Sequence, residues 1–132
     1  MSPEEIAVLD ANSAFYRAFA RRDVRAMEAL WAVGAPVACI HPGWDVLRGR
    51  DEVLESWRNI LSGDAPSIRC GAASAHVVGD LAWVVCRERV PGSSPVAATN
   101  VFVREEGAWR MCHHHAGIVA EERDERPPGA RA

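Results

Sequence analysis

Val37-Ala38-Cys39-Ile40-His41-Pro42-Gly43-Trp44 is a short apolar run that stops at a proline. Proline biases the residue before it toward extended backbone and cannot continue a sheet ladder. The stretch therefore reads as a strand whose last residue, His41, sits at the mouth where the chain leaves the sheet. An imidazole flanked by Ile40 and Trp44 has the nearly neutral pKa that general acid–base chemistry needs.

Helical sequence lies on both sides of this strand. Upstream, Ser2-Pro3-Glu4-Glu5 supplies a capping hydroxyl, a proline for the first turn and acids for the positive end of the helix dipole. Ile6, Val8, Leu9, Phe15, Tyr16 and Phe19 follow at helical spacing to about Arg22. Asp23 can cap a second, short helix that turns Met27, Leu30 and Trp31 inward before Gly34 and Pro36 break it. Downstream, a third helix begins near Arg50-Asp51 and buries Val53, Leu54, Trp57, Ile60 and Leu61.

Beyond Gly63-Asp64 the texture changes to four strand-like segments: Ser67 to Val78, Leu81 to Val90, Val96 to Glu105 and Trp109 to Val119. Gly79-Asp80 reads as a two-residue hairpin turn, 91–95 as a longer loop and 106–108 as another tight connection. Helices followed by an antiparallel meander predict an α+β domain with the helices on one face of the sheet.

Composition bounds the function. The 132 residues make one domain with a real core, 48% hydrophobic and 25% charged. A net charge of −3 argues against a nucleic-acid partner. No apolar run approaches the roughly 20 residues of a spanning helix, so no membrane partner is expected. Met1-Ser2-Pro3-Glu4-Glu5 does not read as a signal peptide, which predicts a cytoplasmic protein. Cys39, Cys70, Cys86 and Cys112 are widely spaced and read as reduced, buried thiols.

Several polar residues stand in apolar places. Asn12 interrupts the stripe of the first helix, with Tyr16 on the same face; each needs a partner, in the protein or in a ligand. In the third long segment, Asn100 lies between Ala98 and Phe102, while Ala97, Thr99, Val101 and Val103 make the other face. Both faces are largely apolar, so a second copy of the chain is the simplest cover for the outer one. Strict alternation in the last segment puts Trp109, Met111, His113 and His115 on one face and turns His114 away. His113, His115 and His41 could together offer three nitrogens to a metal, but no carboxylate is placed to complete the set, and no metal is expected. Trp44, beside His41, belongs at a cavity rim.

With these residues in hand, the chain resembles the SnoaL-like branch of the superfamily that holds nuclear transport factor 2 and ketosteroid isomerase. The resemblance covers about residues 4 to 119. It rests on the order of elements around His41-Pro42-Gly43, on Asn12-Ser13-Ala14-Phe15-Tyr16, on Gly49-Arg50 before the third helix, and on Trp109-Arg110-Met111 leading into His113-His114-His115. It implies an α+β cone-shaped barrel: three N-terminal helices packed on a strongly curved, mainly antiparallel sheet. Residues 1–120 would form this domain and 121–132 a flexible tail.

Aligned by element, His41 falls where ketosteroid isomerase has its aspartate base, Asn100 where it has a protonated aspartic acid, and Tyr16 near its tyrosine. An imidazole and an amide replace the two acids, so steroid isomerisation is not carried over. The expectation is a small cofactor-free enzyme doing isomerase, cyclase or lyase chemistry on a hydrophobic small molecule. His41 would move the proton, with Asn100 and Tyr16 polarising an oxygen. Asn12, Trp44, Trp57, Phe102, His113 and His115 would line the ligand. The alternative is a non-catalytic binder using the same cone, and in either case a homodimer is expected.

Overall fold

The structure is a computed structural model and describes residues 1–64 and 66–123. Helix α1 spans Pro3–Ala20 and opens on a complete capping box, in which the Ser2 hydroxyl accepts from the Glu5 amide and the Glu5 carboxylate accepts from the Ser2 amide. Helix α2, Val24–Leu30, is capped by the Asp23 carboxylate, which accepts from the Ala26 amide. Strands β1 (Ala38–Ile40) and β2 (Leu47–Arg48) follow, then helix α3, Arg50–Ser62. Four long strands follow: β3 Arg69–Val78, β4 Leu81–Arg89, β5 Val96–Glu105 and β6 Ala108–Ile118.

Among the described residues the strands form one six-stranded sheet in the order β2-β1-β6-β5-β4-β3. Strands β3 to β6 make the expected antiparallel meander, whereas β1 runs parallel to β6, so the sheet is mixed. The expected barrel is an open cone: β2 and β3 are the two edges and do not pair with each other. Register shifts in β3, between Gly71 and Ser74, and in β6, opposite Val101 and Phe102, each add an unpaired residue. Such bulges bend a strand and increase its twist, which wraps the sheet around the helices.

The core fills the space between the helices and the inner sheet face. Val8, Phe15 and Phe19 of α1 and Val53, Trp57 and Leu61 of α3 meet Ala82 and Val84 of β4, Ala98 and Phe102 of β5 and Met111 of β6. At the narrow end the Glu105 carboxylate accepts from the amides of Val33, Gly34 and Ala35, pinning the α2–β1 connection to the sheet. Of the expected tail, 124–132 lie outside the described residues. At its start, Glu122 pairs with Arg87 and Arg89 of β4. No helix among the described residues is long and apolar enough to cross a membrane.

Candidate functional site

The wide end of the cone holds a cavity of about 360 Å³, lined by residues of α1, α3, β4 and β6 together with Pro42, Trp44, Pro66, Ser93 and Ser94. His41 enters where β1 ends. Its carbonyl accepts from the Trp44 amide at 2.9 Å, closing a turn in which Gly43 takes a φ of +83°. That backbone conformation favours glycine. The turn sets Trp44 at the rim, 48% exposed, its ring edge against the His41 ring at 4.8 Å between centroids. Trp57 packs on His41 from the other side at 4.7 Å.

The tautomer of His41 follows from its neighbours. Ser56 Oγ donates to the Val53 carbonyl at 2.7 Å, so its lone pairs accept from His41 Nε2–H at 3.0 Å. Nδ1 then carries the free lone pair and, among the described residues, has only a long contact, 3.9 Å, with the Cys39 thiol. Burial lowers the His41 pKa to about 4, leaving the ring neutral at pH 7. Burial also pushes the Cys39 thiol up to about 12.

A chain of polar side chains runs beneath the cavity. His114 Nδ1 donates to Asn100 Oδ1 at 2.5 Å, and Asn100 Nδ2 donates to Asn12 Oδ1 at 2.8 Å and to Tyr16 Oη at 3.1 Å. Tyr16 Oη donates to Glu88 Oε2 at 2.6 Å and lies 3.4 Å from Cys86 Sγ. Burial raises the Tyr16 phenol, with Glu88 beside it adding to the effect, and burial raises the Glu88 carboxyl. His114 is fully buried. Desolvation, helped by the other imidazoles, lowers its pKa to about 3.

Of the residues singled out from the sequence, Tyr16, His41, Trp44 and Trp57 meet in the cavity wall. Asn12 and Asn100 lie behind it, and both amide hydrogens of Asn100 are engaged within the protein, so Asn100 has none to offer a ligand oxygen. Phe102 is buried in the core, away from the lining.

His113 and His115 are on the wrong face. The pairs Phe102↔Met111 and Val101↔His113 leave Cys112 as the extra residue of a bulge, so the inward series runs Trp109, Met111, His114, Ala116. His113 bonds to the Ala38 carbonyl at 3.2 Å, His115 is exposed, and neither converges with His41. A register carried straight from the two-residue turn would set Asn100 opposite His113; the bulge moves it opposite His114.

Sequence reasoning missed Glu88, His114 and Ser56. Glu88 did leave a signal. It continues the inward series Ala82, Val84, Cys86, a carboxyl where alternation calls for an apolar residue. Ser56 has a plainer one, a hydroxyl next to Trp57 on the inner side of α3.

Comparison with known proteins agrees with this architecture. The SnoaL-like domain family matches residues 8–121, and the chain belongs to that family. Among solved structures, a candidate dehydratase of the NTF2-like family from Streptomyces avermitilis is 34% identical, covering 89% of this chain and 97% of that one with a TM-score of 0.83. A candidate calcium/calmodulin-dependent protein kinase type II association domain from Thiobacillus denitrificans is 33% identical over 83% of this chain and 92% of that one, with a TM-score of 0.73. F-box protein SKIP8 of Arabidopsis thaliana is 29% identical over 116 residues, 86% of this chain. The chain spans about half the length of that curated relative.

Proposed function

We propose that this SnoaL-like protein is a small cofactor-free enzyme that moves protons on a hydrophobic molecule held in the cone, in a reaction of isomerase, cyclase or lyase type. The observation that carries the reading is His41, a neutral, buried imidazole in an apolar wall whose Nδ1 is left without a good partner. Such a group removes a proton from carbon next to a carbonyl, and the buried Glu88 carboxyl can exchange a proton at the floor. Tyr16 acts through Glu88, by donating to it, and Asn100 positions Tyr16 and His114. The likeness to a candidate dehydratase supports the lyase branch.

Four free cysteines support a reducing, cytoplasmic setting. Exposed Leu81, Trp83 and Val85 support a homodimer through the outer sheet face.

The test needs no known substrate. Apolar ketones and hydroxyketones are incubated with the protein in heavy water, and deuterium uptake at carbon is read by mass spectrometry. Uptake on at least one compound is expected, and His41→Ala should slow it by about 10²-fold or more. Uptake that is unchanged in a folded His41→Ala protein refutes the assignment.

A non-catalytic binding module is the second reading. One observation favours it: the Asn100 and Tyr16 donors are engaged inside the protein and cannot stabilise an enolate directly. Its support from relatives is the likeness to an association domain and to part of an F-box protein.

A further inference from the structure

Glu88 is 4% exposed, lines the cavity, and among the described residues meets no arginine there. It points inward between Arg87 and Arg89, which both turn to Glu122. Its Oε2 accepts from Tyr16, and its Oε1 has no hydrogen bond among the described residues. Across a gap of 3.9 Å from Oε2 stands His114 Nε2. With Nδ1–H committed to Asn100, Nε2 presents a lone pair in the neutral ring.

The other polar groups nearby add acceptors rather than donors. His41 Nδ1 is a further lone pair, while the hydrogens of Tyr16, Asn100, Ser56 and His41 Nε2 are all engaged within the protein. Trp57 Nε1–H is an unengaged donor in this wall, and it is buried, while the hydroxyls of Ser93 and Ser94 lie on the exposed loop at residues 91–95. No arginine of the described residues lines the cavity, and the chain has no lysine. The walls include the rings of Phe15, Phe19, Trp44 and Trp57.

A buried carboxylate is ordinarily paired with a cation. Aromatic walls favour positive charge, and a floor made of acceptors is completed by a ligand that donates. We propose that the cavity floor holds a protonated amine on an otherwise apolar ligand, with the ammonium lying in the gap between Glu88 and His114. A nitrogen about 2.8 Å from each of the two acceptors fits a separation of this size. At about 360 Å³ the cavity is near the small end of ligand sites, which suits an amine of one or two rings. The inference rests on the small-molecule reading of the cavity and narrows its ligand class; it leaves the role of His41 unchanged.

Three near-isosteric probes test it: 2-phenylethylamine, 2-phenylethanol and phenylacetate, titrated by calorimetry at pH 7.5 into the full chain. The amine should bind at least about tenfold more tightly than the alcohol, with the carboxylate weakest. Glu88→Gln keeps the size of the side chain and an oxygen that accepts from Tyr16. In that variant the amine should lose about tenfold or more while the alcohol changes by less than about threefold.

An alcohol that binds as tightly as the amine overturns the proposal, as does an amine preference that persists in folded Glu88→Gln. The wild-type ranking stands as a test by itself should the variant not fold. Tighter alcohol binding together with His41-dependent deuterium uptake would remove the amine and keep the enzyme. Glu88-dependent amine binding without uptake would do the reverse. Failure of all three probes to bind overturns the proposal and counts against the cavity reading beneath it.

Discussion

Acidification from pH 7 to pH 4.5 should destabilise this domain, chiefly through two histidines. Burial holds the pKa of His41 at about 4 and that of His114 at about 3, whereas in the unfolded chain both titrate near about 6.5. Between those values the unfolded chain binds more protons than the native one. Stability therefore falls as pH drops below about 6.5 and returns as pH rises through it. In mid-window the two groups give a slope of about 2.7 kcal/mol per pH unit, and together about 5 kcal/mol between pH 7 and 4.5.

That figure counts the two histidines alone; the lowered carboxyls of Glu5, Glu105 and Glu122 add to the loss as the pH approaches the carboxylate range. The raised carboxyl of Glu88 takes up its proton in the native state before the unfolded one, which works the other way. Even so, 5 kcal/mol is comparable with the whole stability of a domain, about 5–15 kcal/mol. Urea unfolding followed by tryptophan fluorescence, at half-unit pH steps, measures the slope. His114→Gln can still donate to Asn100 and should halve the slope to about 1.4 kcal/mol per unit. An unfolding free energy that stays level within about 0.5 kcal/mol from pH 6.5 to 5 refutes the reasoning, as does a slope that His114→Gln leaves unchanged.

Tyr16→Phe removes the hydroxyl that donates to Glu88 and accepts from Asn100, and should cost about 1–3 kcal/mol in urea unfolding. With that donor gone, the Glu88 carboxyl should titrate still higher in a carbon-detected NMR titration. Phe15→Ala opens the core between α1 and Trp57 and should cost about 3–5 kcal/mol, whereas Trp44→Ala, at the exposed rim, should stay within about 1 kcal/mol and act on ligand affinity instead. Val101→Arg places a charge on the outer sheet face and should convert a dimer to monomers in sedimentation velocity; a wild type that is already monomeric at micromolar concentration removes the dimer.

The architecture was legible because it depends on local chemistry. The Ser2 and Asp23 caps, the apolar stripe of α3 and the turn at Gly79-Asp80 each act within a few residues, and each appears where the sequence puts it. On β5, two-residue alternation was enough to turn Ala98, Asn100 and Phe102 inward, because no bulged residue lies on that strand. His41 was found in the same way, since a proline after an apolar run ends a strand wherever it occurs.

The site itself was decided at longer range. A bulge at Cys112 is one extra residue with no local signature in Met111-Cys112-His113-His114-His115, yet it reverses which histidines face the cavity. The pairing of β6 with β5 fixes that choice, and so do the Asn100 amide and the Tyr16–Glu88 bond, whose partners are 84 and 72 residues apart in the chain. From the sequence alone Asn100 could equally have been a donor to a ligand, because its composition is the same in both cases. Which hydrogens are already engaged depends on which side chains arrive beside it, and only folding brings Asn12, Tyr16, Glu88 and His114 together. The residues and their alternation therefore determined the cone and the place of His41, while the bulged register and the closed hydrogen-bond chain determined what the cavity floor offers a ligand.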